Sequence, residues 1–138
     1  MRTAQCACGQ LTVRVDAEPA AVVACSCLEC QRKSGSAFGL GAYFAKGEVS
    51  VSGDSRTYSR TASSGHLMHN HFCPVCGATV YWTMDRDPER IGVSVGAFAD
   101  PDFLAPTRSV FDLSKHAWVK FPDDVPGFSE GRDSARTR

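Results

Sequence analysis

Seven cysteines in three tight clusters constrain this chain more than any other feature. They fall in Cys6-Ala7-Cys8-Gly9, in Cys25-Ser26-Cys27-Leu28-Glu29-Cys30 and in Cys73-Pro74-Val75-Cys76-Gly77. Four thiolates close a tetrahedral metal site, and three leave one position open. An odd cysteine leaves one thiol over in a disulfide framework, whereas a division into four and three uses all seven. A chain of 138 residues has room for one modest core, so local cross-links of this kind add usefully to it.

Cys73-Pro74-Val75-Cys76-Gly77 has the composition of a zinc knuckle: two sulfurs on one tight turn, then a glycine free to take positive φ. It needs two more donors, and Cys6 and Cys8, also followed by a glycine, are the available pair. Read as strand residues, Cys6 and Cys8 share a face because they are two apart. Cys25, Cys27 and Cys30 offer three thiolates within six residues. Cys30 falls near the start of a short helix predicted from Leu28 to about Lys33, stopped by Ser34-Gly35. No fourth ligand lies nearby, which is the pattern of a catalytic or ligand-accepting zinc.

The histidines do not supply that ligand from spacing alone. His69 and His71 share a strand face, but Cys73 and Cys76 already account for ligation there, so His66, His69 and His71 read as surface or hydrogen-bonded groups. His116 is isolated and reads as structural. Trp82 and Trp118 read as core or cleft-wall aromatics. Arg32-Lys33 can offset the negative charge of three thiolates or grip an anionic group.

The rest of the chain reads as short strands. Alternation marks Leu11–Val15, Val49–Val51, Arg56–Thr61 and Ile91–Val95. Ala21–Ala24, Phe38–Phe44, His66–Phe72 and the β-branched, aromatic run Thr79–Thr83 add four more, with Val110-Phe111 a short extra strand. Asp100–Leu104 reads as a turn. The expected class is mainly β, with few short helices. One domain is expected over residues 1–130, and the polar residues 131–138 are expected to fray.

Charge narrows the partners. Fifteen Lys+Arg balance fifteen Asp+Glu, so the formal charge is zero. Seven lost thiol protons and two divalent ions would leave a net of three negative charges. A mildly acidic protein with scattered basic residues lacks the patch that nucleic-acid binding needs. No apolar run is long enough for a transmembrane helix, so no membrane partner is expected. Met1 to Cys6 lacks the apolar stretch of a signal peptide, which makes the cytoplasm the expected location, where clustered cysteines favour metal over disulfides.

In order and spacing, Cys6-x-Cys8-Gly9, Cys25-x-Cys27-x-x-Cys30-Gln31-Arg32-Lys33-Ser34-Gly35 and Phe72-Cys73-x-x-Cys76-Gly77 resemble the glutathione-dependent formaldehyde-activating enzyme (GFA) family, the group that includes centromere protein V. Trp118 and Asp123-Asp124-Val125-Pro126-Gly127-Phe128 are similar to the family's usual end. The resemblance implies a zinc-stabilised fold of antiparallel sheets in a β-tent arrangement. It implies two zinc ions: a structural one on Cys6, Cys8, Cys73 and Cys76, and an exchangeable, catalytic one on Cys25, Cys27 and Cys30. It implies a carbon–sulfur lyase that binds the thiol of glutathione at the open zinc position and adds it to formaldehyde, or acts on a related thiol adduct; by their charge, and not by the resemblance, Arg32 and Lys33 are the candidates for holding glutathione. Two other readings stay open: a non-catalytic zinc-binding interaction or thiol/zinc carrier module, and a thiol oxidoreductase with one zinc and a free catalytic cysteine.

Overall fold

The structure is a computed structural model that describes residues 1–138. In chain order the strands and helix are β1 (Arg2–Gln5), β2 (Thr12–Val15), β3 (Ala21–Cys25), α1 (Leu28–Ser34), β4 (Gly39–Ala45), β5 (Val49–Ser52), β6 (Arg56–Thr61), β7 (Leu67–Phe72), β8 (Thr79–Met84), β9 (Arg90–Ser94) and β10 (Arg108–Val110). The protein is mainly β, as its alternation and β-branched runs predict. The chain divides into two compact units, one of Met1–Ala20 with Ala42–Phe103 and one of Ala21–Gly41 with Leu104–Arg138.

In the first unit the pairs β1–β2, β2–β5, β6–β7, β7–β8 and β8–β9 are antiparallel. A three-stranded sheet runs in the order β1-β2-β5. Its inner face follows from the alternation of β2: Val13 and Val15 are fully buried, whereas Arg14 is exposed. Val13 sits opposite Ala4 on one side and Val51 on the other. Burying each such valine contributes about 1.5–3 kcal/mol before entropy is counted. β6, β7, β8 and β9 pair in succession, with the register slipping between His71 and Phe72, just before the third cysteine cluster. Trp82 is buried, and its indole N–H donates to the Tyr43 hydroxyl at 3.3 Å. Gly92 lies opposite it, and a Cβ there would fall 2.2 Å from Trp82 Nε1, so this position needs glycine for close approach. Phe44, Phe98 and Phe103 complete the core; Phe98 stacks on Phe103 at 4.7 Å.

The second unit holds the one α-helix and a parallel pair. β10 runs alongside β3 with Ser109 opposite Ala24 and Val110 opposite Cys25. The helix is short and capped at both ends. Cys27 is the N-cap; its sulfur accepts from the Cys30 amide at 3.3 Å. Gly35 ends the helix in the left-handed region at φ 63, as the Ser34-Gly35 stop predicts. Glu29 in the first turn and Arg32 and Lys33 in the last complement the helix dipole. No helix of the structure is long and apolar enough to cross a membrane.

One local detail differs from the sequence reading. A first strand, Arg2–Gln5, forms where alternation gave no signal, because it completes the pairing of β2. At the polar end Phe128 bridges to Arg136, and the Ser129 amide donates to the Ala135 carbonyl at 2.8 Å.

Candidate metal centres

In the first unit Cys6, Cys8, Cys73 and Cys76 converge, with all four sulfurs within 4.8 Å of one another. They are free thiols, not disulfides. Cys6 and Cys8 do not meet the site from one strand face. β1 ends at Gln5, and residues 6–9 form a turn in which the Gly9 amide donates to the Cys6 carbonyl at 3.1 Å and Gly9 takes φ 85. The turn, not strand alternation, brings the two sulfurs to 3.6 Å. Cys73 and Cys76 come from the predicted knuckle: Gly77 takes φ 78 and its amide donates to the Cys73 carbonyl at 2.9 Å.

The spacing fits zinc. Bonds of about 2.3 Å in a tetrahedron set the sulfurs about 3.8 Å apart. Cys6–Cys8 and Cys8–Cys73 measure 3.6 and 3.7 Å. Backbone amides already point at the sulfurs, Leu11 N–H at Cys6 and Val75 N–H at Cys73, both at 3.3 Å. Burial opposes ionisation of Cys73, but the Cys76 amide, the Gln10 side chain and the Val75 amide outweigh it and bring this thiol down to about 6. Cys76 is also lowered, first by the Ala78 amide. Cys8 moves the other way, to about 11: the Gln10 backbone lowers it, but burial and the three neighbouring sulfurs raise it more. Cys73 and Cys76 thus lean toward thiolate, while Cys8 favours the proton that a cation would displace.

In the second unit Cys25 is the last residue of β3, Cys27 caps α1 and Cys30 lies in its first turn. Their three sulfurs also lie within 4.8 Å of one another. The loop between them is fixed through its backbone. The Ser26 amide donates to the Val110 carbonyl at 3.1 Å. The Ser26 carbonyl accepts from Gln31 Nε2 at 2.9 Å and from Ser114 Oγ at 2.8 Å. Gly39 leaves room for Cys30; an added Cβ would stand 3.3 Å from the Cys30 Cβ.

Cys25 is pushed far above the usual thiol range by its bond to Cys27, then by Cys30 and by burial. Cys30 is lowered by Cys25, but Cys27 and burial carry it above its usual value against the opposing charge of Lys33. Three sulfurs this close cannot all ionise unless a cation joins them, and a soft donor set of three thiolates suits zinc. No histidine or carboxylate enters either group.

The other singled-out residues lie elsewhere or pair locally. Arg32 is exposed and bound to Glu29 at 2.8 Å. Lys33 is half-buried, and its charge reaches Cys30. His69 bonds Ser59 at 2.7 Å and Asp85 at 2.9 Å; His71 bonds Thr57 and stacks on Tyr81 at 4.4 Å. These are hydrogen-bonded histidines. His116 meets the exposed Trp118 edge-on. Three supporting residues carry no spacing signal: Gln10, whose amide donates to Cys73 Sγ at 3.0 Å, and Gln31 and Ser114, which hold the Ser26 carbonyl.

A family model described as glutathione-dependent formaldehyde-activating enzyme matches residues 1–114, the span that contains every cysteine of both clusters. The chain belongs to this family. Among the GFA chain's structural likenesses is the crystal structure of a Rhodobacter sphaeroides protein from structural genomics, with a TM-score of 0.58 at 22% identity over 72% of this chain and 91% of that one. At that identity the likeness concerns the fold alone. No curated protein matches the chain. Residues 115–138 lie beyond the GFA match.

Proposed function

We propose that this protein is a zinc-dependent carbon–sulfur lyase that joins the thiol of glutathione to formaldehyde. Cys6, Cys8, Cys73 and Cys76 would hold a structural zinc, and Cys25, Cys27 and Cys30 a second, catalytic one. The reading is carried by the three sulfurs within 4.8 Å, a donor set one short of a closed tetrahedron, in a member of the GFA family. Zinc bound there lowers the pKa of a thiol that joins it and keeps that thiol ionised.

The chain's own residues supply placement. Cys25, Cys27 and Cys30 sit where β3 passes into α1, a junction tied at Ser26 to Val110, Gln31 and Ser114, so their sulfurs converge without a large ordering cost at binding. Three thiolates and one divalent ion leave one negative charge, and Lys33 partly offsets it. Lys33 and Arg32, the latter paired with Glu29, are the two candidates to hold a glutathione carboxylate. The sulfur of glutathione bonds to the formaldehyde carbon, the carbonyl π pair moves to oxygen, and that oxygen takes the proton the thiol gave up. The product is S-hydroxymethylglutathione, and the reverse cleavage uses the same site. Holding both reactants in line is the main contribution, because a thiolate shared with a cation is a weaker nucleophile than a free one. The reaction is placed in the cytoplasm, where glutathione keeps thiols reduced.

Glutathione titration by calorimetry tests the reading. The zinc-loaded protein binds glutathione, and Cys27→Ser keeps one zinc and loses that binding. Unchanged binding in Cys27→Ser contradicts it.

A further inference from the structure

Beyond the family match the chain returns to the second unit and ends in a built guanidinium site. Arg138 Nη2 donates to Ser109 Oγ at 2.9 Å, Nε to the Val125 carbonyl at 3.1 Å and Nη1 to Asp112 Oδ2 at 3.4 Å. Its guanidinium lies 5.3 Å over the Phe121 ring. Asp112 is the core of this site: its side chain is only 4% exposed, and Oδ2 also accepts from Thr137 Oγ1 at 2.6 Å and Ser109 Oγ at 3.2 Å. A carboxylate this buried is costly unless a cation accompanies it, so Asp112 and Arg138 depend on each other.

The site connects to the three cysteines by two routes. Along the backbone, the Phe128 amide donates to the Ser109 carbonyl at 3.0 Å and the Ser109 amide to the Pro126 carbonyl at 2.9 Å. Ser109 belongs to β10, whose next residue, Val110, lies opposite Cys25 and accepts from the Ser26 amide. Through side chains, Phe121 meets Phe38 edge-on at 5.2 Å, and Phe38 precedes Gly39, which packs on Cys30. Gly127 leaves room for the segment to dock. A Cβ there would lie 2.4 Å from Asp112 Oδ2 and 2.6 Å from Thr137 Oγ1.

We propose that Arg138 and Asp112 are positioning residues for the Cys25/Cys27/Cys30 cluster. The latch of the last residues onto Asp112 holds β10, and β10 holds the cysteine loop in its metal-binding geometry. This rests on the reading of that cluster as a zinc site. Thr137 and Arg138 lie beyond the GFA match, whereas their partners Ser109 and Asp112 lie within it.

The test uses the full chain loaded with two zinc ions. Zinc affinity at each site is read by chelator competition, with Cys27→Ser marking which ion is the second. Cobalt(II) substitution adds the thiolate-to-metal absorption bands as a geometric signature. Arg138→Ala should weaken the second site about 10- to 100-fold, the range for losing outer support of metal ligands, and shift its cobalt bands, with the four-cysteine site unchanged. Arg138→Lys should recover part of the loss, because it restores the charge without the fork. Gly127→Ala should reproduce the effect by displacing the segment while leaving every charge in place. The unchanged four-cysteine site reports that each variant has folded. Unaltered second-site affinity in both Arg138→Ala and Gly127→Ala overturns the proposal, as does equal weakening of both sites. A wild-type protein that takes up only one zinc sinks the underlying zinc reading, and the latch with it.

Discussion

At the scale of single residues, the cysteine sulfurs are set by the groups that hydrogen-bond them. Gln10 places its amide on Cys73 Sγ while its carbonyl oxygen accepts from the Asp54 amide at 2.9 Å, so the side chain is fixed at both ends. Gln10→Ala should loosen the four-cysteine site by about tenfold in zinc affinity, measured by chelator competition, since it removes outer support of a ligand. The grouping of the seven cysteines into four and three was legible because cysteine spacing is a local signal. Gln10 was not, since its partner is 63 residues away. Cys6 and Cys8 were paired correctly for the wrong reason: a turn built on Gly9 joins them, and pattern reading cannot separate a tight turn from a strand over three residues. Protonation separates the two sites as well. Cys25 and Cys30 are both raised, whereas in the four-cysteine site Cys8 is raised but Cys73 is lowered to about 6 and Cys76 is lowered with it. Protons compete harder for raised thiols, so on acidification the three-cysteine site should release zinc at the higher pH. A zinc-indicator titration downward from neutral pH checks the order, and release from both sites together would contradict it.

At the scale of elements, the helix and most strands were legible from their own stretches of chain. Leu28–Ser34 carries its stop signal in Gly35, and Thr79–Met84 its β-branched and aromatic run. β1 was not, since Arg2–Gln5 has no alternation of its own and exists by pairing with β2. Nor does polar composition signal the contacts of Thr137 and Arg138 with the buried Asp112 side chain. Close approach between elements is equally invisible to patterning. Gly92→Ala would drive a methyl into Trp82, so it should cost about 1–3 kcal/mol by overpacking. Urea unfolding of the zinc-loaded protein reads this as a lower midpoint at unchanged slope; an unshifted midpoint would mean that β8 and β9 part more easily than the close contact implies.

Across the whole molecule, a metal on the proposed four-cysteine site would cross-link the chain in place of a larger core. The four-cysteine cluster joins the turn after β1 to the turn after β7, 67 residues apart from Cys6 to Cys73. A strong chelator at neutral pH should therefore act in two stages: first loss of glutathione binding with the circular dichroism intact, then loss of the β signal as the structural ion leaves. A single concerted transition would argue against separate roles for the two clusters. The most direct measurement is zinc X-ray absorption on the two-zinc protein, before and after glutathione. One closed and one three-sulfur site predict an average of about 3.5 sulfurs per zinc, rising to about 4 when the thiol of glutathione joins the second. An average already at 4 without glutathione, or one that does not rise on its addition, would contradict a three-cysteine centre that accepts the substrate thiol.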